Sequence, residues 1–373
     1  MRESVKAFLS SSKFIPQAIK KALVKNEGTE DYRQAVEKYD VWKNGFSQSI
    51  PIYRIYTHVH RFMDECEIRD GKAVAKNGKV RKVLFLGYDG LRADTAAKIV
   101  GAVNAFDSES VGAGVTYGGI HNVAKSGGLY LAYCGGETDT DTQQSTSTSA
   151  GWTAQMTGVW GKFNGIKENS DTKGMEYKTF PLEYAEKGLA ASVSFDWTPF
   201  FNDNLKTEIE YAAAHPELKI KYINNSLRDT DGKTEIEKLT AFDGKIGYTL
   251  GDTAARDFAL YSIADGDSVV FVLFDSIDAN GHAHGFSPNC DGYVSAAVTC
   301  DSFTYQIISE IKKREELLDE EWLIILANDH GGKGRGHGGQ SLEERTTWIA
   351  TNIPFSEDLF GKDYDGHREN VRV

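Results

Sequence analysis

The sequence predicts an α/β fold built on a mostly parallel central sheet, and three observations carry that expectation. Short apolar runs alternate with segments of helical period along most of the chain, the pattern of strands joined by crossover helices. Three of the runs close on acidic or histidine-bearing turns: VLFLGYDG at Asp89, VVFVLFDSIDANGHAHG with Asp278 and His282, and LIILANDHGGKGRGHGG with Asp329, His330 and His337. Parallel strands bring their carboxyl ends to one rim, so side chains far apart in sequence converge there. Finally, the alternation runs through most of the 373 residues, which favours one large domain with insertions over two or three small ones.

Residues 1 to about 45 place Val5, Phe8 and Leu9, then Ala35, Tyr39 and Val41, at helical spacing. They read as a peripheral cap, and the expected division is an N-terminal helical cap region over 1–80 packed on a main domain over 81–373. After a basic turn, Lys79 to Lys82, the first clear strand runs from Val83 to Tyr88, and the helix-like ADTAAKIVGAVNAF follows it. Residues 107–128 are glycine-rich and read as a loop before a short strand, Gly128 to Cys134. The polar segment ETDTDTQQSTSTS, Glu137 to Ser149, runs straight into the helical AGWTAQMTG. Ser and Thr side chains accept from free amides, so this stretch reads as a helix N-cap.

The alternation continues with a helix over Pro181–Lys187, a strand over Ala190–Phe195, a helix over Glu208–Ala214 and a strand over Leu218–Ile223. Residues 224–245 are polar and loop-like. A helix over Gly251–Ala264 leads to the strand Ser268–Phe274, and a long helix over Ser295–Leu318 leads to Trp322–Ala327, with Thr346–Thr351 as a last strand. No internal repeat or low-complexity tract interrupts this order.

Charge and composition exclude several classes. Lys plus Arg number 42 against 54 Asp plus Glu, a net charge of −12, so the basic footprint of a nucleic-acid binder is missing. An anionic substrate would need local positive charge, which bound metal can supply. The cysteines at 66, 134, 290 and 300 show no CxxC spacing and read as free thiols. The N-terminal MRESVKAFLSSSKFIPQAIKK lacks the apolar core of a signal peptide, and no stretch approaches the ~20 apolar residues of a membrane helix. A cytoplasmic location is the resulting expectation.

The strand-end residues have ordinary alternatives. In Asp278-Ala-Asn-Gly-His282 a carboxylate and an imidazole come to one side of a turn, a pairing of usual non-thiolate zinc ligands. Loop aspartates are also common turn formers, and Asp275 and His284 lie near enough to take either place. Asp329-His330 leaves a buried strand into a loop with six glycines between 331 and 339, where backbone and ligand can approach closely. Asp89-Gly90 alone is a common turn signal. Together, three carboxylates on one rim would repel one another unless cations neutralised them.

These residues resemble the alkaline phosphatase superfamily and, within it, the nucleotide pyrophosphatase/phosphodiesterase branch. YDGLRADT looks like that family's first metal motif, DANGHAHG like its D-x-x-G-H-x-x-G, and ANDHGG like its S-D-H-G. The family places a nucleophilic Thr or Ser nine residues before a Thr-Gly, and Thr148 stands so before Thr157-Gly158. Gly165-Ile166 follows, with Asn169 three residues on, as in the phosphodiesterase branch. The resemblance covers roughly residues 81–351 and implies a three-layer α/β/α sandwich whose catalytic domain is the 81–373 unit.

By that resemblance, Asp89, Thr148, Asp329 and His330 hold one zinc, and Asp278, His282 and His337 the other; other divalent metals would also suit. Thr148 would be the nucleophile through a covalent phosphothreonine, with Asn169 donating to a phosphate oxygen, on a small-molecule phosphate ester or nucleotide. Thr146, Ser147 and Ser149 compete with Thr148, which only the nine-residue spacing selects. The chain departs from the family in having Ala150 where proline is usual and Asn164 where histidine is common. His337, in GRGHGGQSLEERTTW, comes earlier than the branch's third histidine, which blurs diester against monoester preference. Phosphomonoesterase, phosphonoacetate hydrolase and mutase activities use a similar ligand set, and a silent phosphate or nucleotide binder is the alternative of another class. A sulfatase would need Cys or Ser in place of Thr148. Trp152, Trp160, Phe163, Trp197, Phe200 and Phe201 are the aromatics expected to border the rim, one or two of them stacking on a base or aryl group.

Overall fold

A computed structural model describes residues 49–99, 118–226 and 251–361. The helices expected over residues 1–45 and most of the polar 224–245 loop lie outside the described residues. In chain order the elements are β1 (Ile50–Pro51), α1 (Arg54–Met63), β2 (Glu67–Arg69), β3 (Lys72–Val74), β4 (Val80–Tyr88), α2 (Ala93–Ile99), α3 (Gly119–Ser126) and β5 (Gly128–Tyr133). There follow α4 (Thr148–Thr157), α5 (Gly161–Asn164), α6 (Phe180–Glu186), β6 (Ala191–Phe195), α7 (Lys206–Ala214) and β7 (Ile220–Asn224). The last are α8 (Asp252–Asp265), β8 (Val269–Phe274), α9 (Ser276–His284), α10 (Asp291–Leu317), β9 (Glu320–Ala327), α11 (Leu342–Arg345) and β10 (Thr346–Thr351).

The strands form one sheet in the order β1-β5-β10-β9-β4-β8-β6-β7, with the β2–β3 hairpin attached to the start of β4. β4 lies between β9 and β8, parallel to both, and Leu84 faces Ile324 on one side and Val270 on the other. Residues 83–88 of β4 and all of β8 are buried, as their unbroken apolar sequences require of strands covered on both faces. α2, α3, α8, α9 and α10 make up one covering layer and α1, α4 and α6 the other, giving the expected three-layer α/β/α architecture. β10 departs from the parallel rule, running antiparallel between β5 and β9.

Residues 49–79 share this sheet and core. β1 pairs in parallel with β5, β3 pairs with β4, and α1 buries Ile55, His58, Val59, Phe62 and Met63, a stripe at helical spacing that faces the core. One expectation is corrected: within the glycine-rich stretch, Gly119–Ser126 is a helix rather than loop. Its free N-terminal amides are met from 181 residues away, where the Asp301 carboxylate accepts from Ile120 N at 2.8 Å, a cap no local pattern reveals. The four cysteines are free thiols. Among the described residues no helix is long and apolar enough to cross a membrane.

Candidate metal centre

The rim formed by the adjacent ends of β8, β4 and β9 gathers the expected ligands. Asp89 follows β4 directly, and its backbone N–H donates to Phe274 O at 3.0 Å, fixing the end of β4 to β8. Gly90 then turns at φ +64°, donating its N–H to Asp329 Oδ1 at 3.1 Å, and a Cβ there would stand 2.7 Å from Asp278 Oδ1. The Asp-Gly pair therefore lets two other carboxylates close over the backbone. Beyond β9, Asn328 Nδ2 donates to His330 O and its Oδ1 accepts from Trp348 N, each at 2.8 Å, which sets the path of Asp329 and His330.

Asp278 and His282 lie on helix α9 rather than in the turn expected from sequence. Four residues apart on a helix is one face, so the pair converges by helical register. His284 faces elsewhere, its ring against Gly292 at the start of α10. Neither it nor Asp275 belongs to a ligand cluster among the described residues. Thr148 opens α4, and Gly151 one turn on lets the helix rest on Asp329, where a Cβ would stand 2.7 Å from the Asp329 Cβ.

Two groups result: Asp89 with Asp329 and His330, and Asp278 with His282 and His337, the candidate ligand atoms of each lying within 4.8 Å of one another. In the first, His330 Nε2 is 3.4 Å from Asp89 Oδ1 and 3.3 Å from Asp329 Oδ2. Thr148 Oγ1 lies 3.5 Å from both Asp89 Oδ1 and His330 Nε2. In the second, His282 Nε2 is 3.2 Å from Asp278 Oδ2, and His337 Nε2 is 3.7 Å from Asp278 Oδ1. The groups adjoin, since the His330 and His337 rings stack with centroids 3.9 Å apart.

The donor chemistry fits divalent metal. Each histidine points Nδ1 at a backbone carbonyl: His330 at Gly331 O (2.7 Å), His282 at Arg335 O (2.9 Å) and His337 at Thr146 O (3.0 Å). A carbonyl only accepts, so each Nδ1 carries a proton; the neutral rings of His330 and His337 turn a bare Nε2 lone pair inward, the tautomer a metal requires, and His282 would present the same atom once a cation displaces its Nε2 proton. His282 and His337 thereby bring two Nε2 atoms within 3.1 Å. Asp278 Oδ1 and Asp329 Oδ2 are buried and accept no hydrogen bond among the described residues. Lone pairs and carboxylate oxygens facing one another repel unless a cation lies among them.

The protonation balance agrees. Burial, followed by the charges of Asp329 and Asp278, pushes the Asp89 carboxyl well above the usual range, and burial does the same to Asp329. Burial lowers His330 and His337 to about 4. His282 is raised to about 9, chiefly by its hydrogen bond to Asp278. Without metal the buried carboxyls thus favour their neutral forms, and a cation inverts that preference.

Geometry also distinguishes the competing hydroxyls. Thr146 Oγ1 is committed to the glycine loop, donating to Gly339 O at 2.8 Å and accepting from Gly338 N at 3.0 Å. Among the described residues Ser147 and Ser149 bury their hydroxyls without a partner, and Thr148 alone of the four meets Asp89 and His330. Side-chain capping of α4 by this polar run is not found: Ser147 stands at the N-cap position without a side-chain cap bond. Instead, Asn169 Oδ1 accepts from Ser149 N at 2.9 Å. That contact orients the Asn169 amide, leaving its NH₂ end available as a donor next to the start of α4.

Some contributors carried no clear sequence signal. Trp152, expected among rim aromatics, is fully buried and donates Nε1 to Asp89 Oδ2 at 3.0 Å. Trp160 and Phe200 are also core residues, while Phe163, Trp197 and Phe201 keep partial exposure. Arg92 binds both oxygens of Asp94 and donates to Phe286 O (2.9 Å) and Gly332 O (3.1 Å), joining the β4, α9 and β9 loops. Its position inside GLRADT was the available hint.

The α/β/α fold brings this carboxylate, histidine and threonine rim together in a chain whose family is one of phosphoric ester hydrolases. Residues 83–335 match the family model for type I phosphodiesterase / nucleotide pyrophosphatase. The chain belongs to that family, and the motif resemblance holds. Among solved structures it is similar to alkaline phosphatase from the Antarctic bacterium TAB5, with 14% identity over 75% of this chain and 93% of that one at a TM-score of 0.46. It is similar also to phosphonoacetate hydrolase from Sinorhizobium meliloti 1021, with 12% identity, 71% and 60% coverage and a TM-score of 0.42. Murine ectonucleotide pyrophosphatase / phosphodiesterase 5 gives 16% identity, 68% and 57% coverage and a TM-score of 0.36. No curated protein matches the chain significantly.

Proposed function

We propose that this chain is a two-zinc phosphodiesterase or nucleotide pyrophosphatase that works through a phosphothreonine at Thr148, with residues 81–373 as its catalytic unit. The observation that carries the reading is the Thr148 hydroxyl 3.5 Å from both Asp89 Oδ1 and His330 Nε2, beside a second carboxylate–histidine group. Asp89, Thr148, Asp329 and His330 would hold one ion and Asp278, His282 and His337 the other. Bound there, the two cations would lower the pKa of the threonine hydroxyl and stabilise the entering and leaving oxygens of an in-line displacement.

The chain's own groups supply the rest. Trp152 and Gly90 hold Asp89 and Asp329 in place through the two hydrogen bonds described, so the acceptors around Thr148 are set before substrate arrives. The positive end of α4 favours a phosphoryl group at Thr148, and the Asn169 amide donates to a non-bridging oxygen. Thr148 Oγ gives up its proton and attacks phosphorus, the bond to the leaving oxygen breaks and that oxygen leaves as the protonated alcohol, and water then cleaves the phosphothreonine, restoring the hydroxyl and releasing the phosphoryl group as its acid. The test is turnover of aryl phosphate mono- and diesters and nucleotides, with acid trapping of the enzyme for mass spectrometry. Phosphate on Thr148 and a preference for diesters support the proposal. Metal binding without turnover of any ester would leave a phosphate binder instead.

A further inference from the structure

We propose that Asp252 is a positioning residue for the second ion, acting as the cap that aims helix α9; this rests on the reading that Asp278 and His282 hold that ion. Asp252 lies in the first turn of α8 and is nearly buried, yet its carboxylate serves α9. Oδ1 accepts from Asp275 N at 2.8 Å and Ser276 N at 3.3 Å, while Oδ2 accepts from Ser276 Oγ and from Cys300 Sγ at 3.0 Å. Asp275, at the N-cap position of α9, makes no side-chain cap bond of its own. The first amides of α9 thus depend on a carboxylate from another helix. Burial and the Asp252 charge keep the Cys300 thiol protonated and therefore a donor.

The leverage is geometric. His282 is six residues from Ser276, about 9 Å along the helix axis. A tilt of ~10° about the cap would carry the imidazole by ~1.5 Å, whereas metal–ligand distances tolerate only about 0.2 Å. Asp89, Asp329 and His330 leave strands β4 and β9 and make no hydrogen bond to Asp252 or Ser276. Loss of the cap should accordingly weaken one ion and spare the other.

The experiment is titration of chelator-stripped protein with Zn²⁺ against a chromophoric competitor. Wild-type protein is expected to bind two ions. Asp252→Ala should hold one at wild-type affinity and the other about 10–100-fold more weakly, the range for lost outer-shell support. Asp252→Asn should fall between, because its amide oxygen still accepts from the two backbone N–H groups. Equal loss of both ions, or wild-type affinity for both in folded Asp252→Ala, would overturn the proposal. Should the alanine variant fail to fold, unchanged affinities in Asp252→Asn overturn it and selective weakening upholds it. Wild-type protein that binds fewer than two ions refutes the two-metal reading itself, whereas two ions unmoved by either substitution refute only the role of Asp252.

Discussion

The two candidate ligand groups share one rim but are held differently. Asp89, Asp329 and His330 hang from adjacent strands with side chains at most 1% exposed, whereas Asp278, His282 and His337, from a helix and a glycine loop, are 13%, 47% and 9% exposed. Burial within the sheet makes the first group rigid and costly to leave without a cation. The second is less enclosed, with His282 about half open to solvent. On the proposed mechanism the nucleophile would stand on the buried side and the leaving group on the more exposed one, which suits substrates that share a phosphoryl group and differ beyond it.

The largest expected effect is on the rigid side. Thr148→Ala should lower kcat about a thousandfold or more while both ions remain bound; substantial residual turnover with metal retained would remove the threonine from the mechanism. Asp89→Asn and His330→Ala should each lower metal content and hydrolysis together. Asp278→Ala and His282→Ala should behave like one another and empty the open side, with ligand loss weakening that ion by at least about a hundredfold. His284→Ala should change neither ion, and damage there would mean the wrong face of α9 has been assigned.

Chelation offers a direct comparison. Graded removal should extract the ion of the open group first, and re-addition of one equivalent should refill the buried group, read by cobalt substitution spectra. Simultaneous loss would erase the proposed difference in rigidity. Asn169→Ala should then reduce kcat by roughly a hundredfold, the lower end for a lost transition-state donor, with metal content unchanged.

The smallest expected effect is on stability and serves as a control away from the metals. His58 is buried against Phe355, with ring centroids 4.0 Å apart, and burial lowers it to about 4. Its folded-state value is below the ordinary 6.5, so the stability it contributes is present above 6.5 and lost as pH falls toward 4. The change amounts to about 3.5 kcal/mol at most, at ~1.4 kcal/mol per unit. His58→Phe should flatten that slope in urea midpoints, separating acid loss of fold from acid loss of metal. An unchanged slope would place the acid response elsewhere.

Much of this was legible because parallel strands impose a local pattern. Continuous apolar runs identified β4, β8 and β9, and the carboxylates and histidines within a few residues of each run marked the rim. Less accessible was everything fixed by partners distant in the chain. The glycine-rich stretch that holds α3 reads as loop until Asp301 caps it, and the polar run before α4 reads as a self-capping start although Asn169 supplies the contact.

The sequence by itself determined the α/β architecture, the strand-end carboxylates and histidines, and through its motifs the family. Tertiary structure decided which hydroxyl meets Asp89, that His282 and not His284 faces inward, and which ring nitrogen each histidine turns toward the carboxylates. The division has a physical reason. Hydrophobic periodicity and turn chemistry act over a few residues and can be read along the chain. Hydrogen-bond partners, tautomers and the neighbours of a buried charge depend on which distant segments the sheet order places side by side.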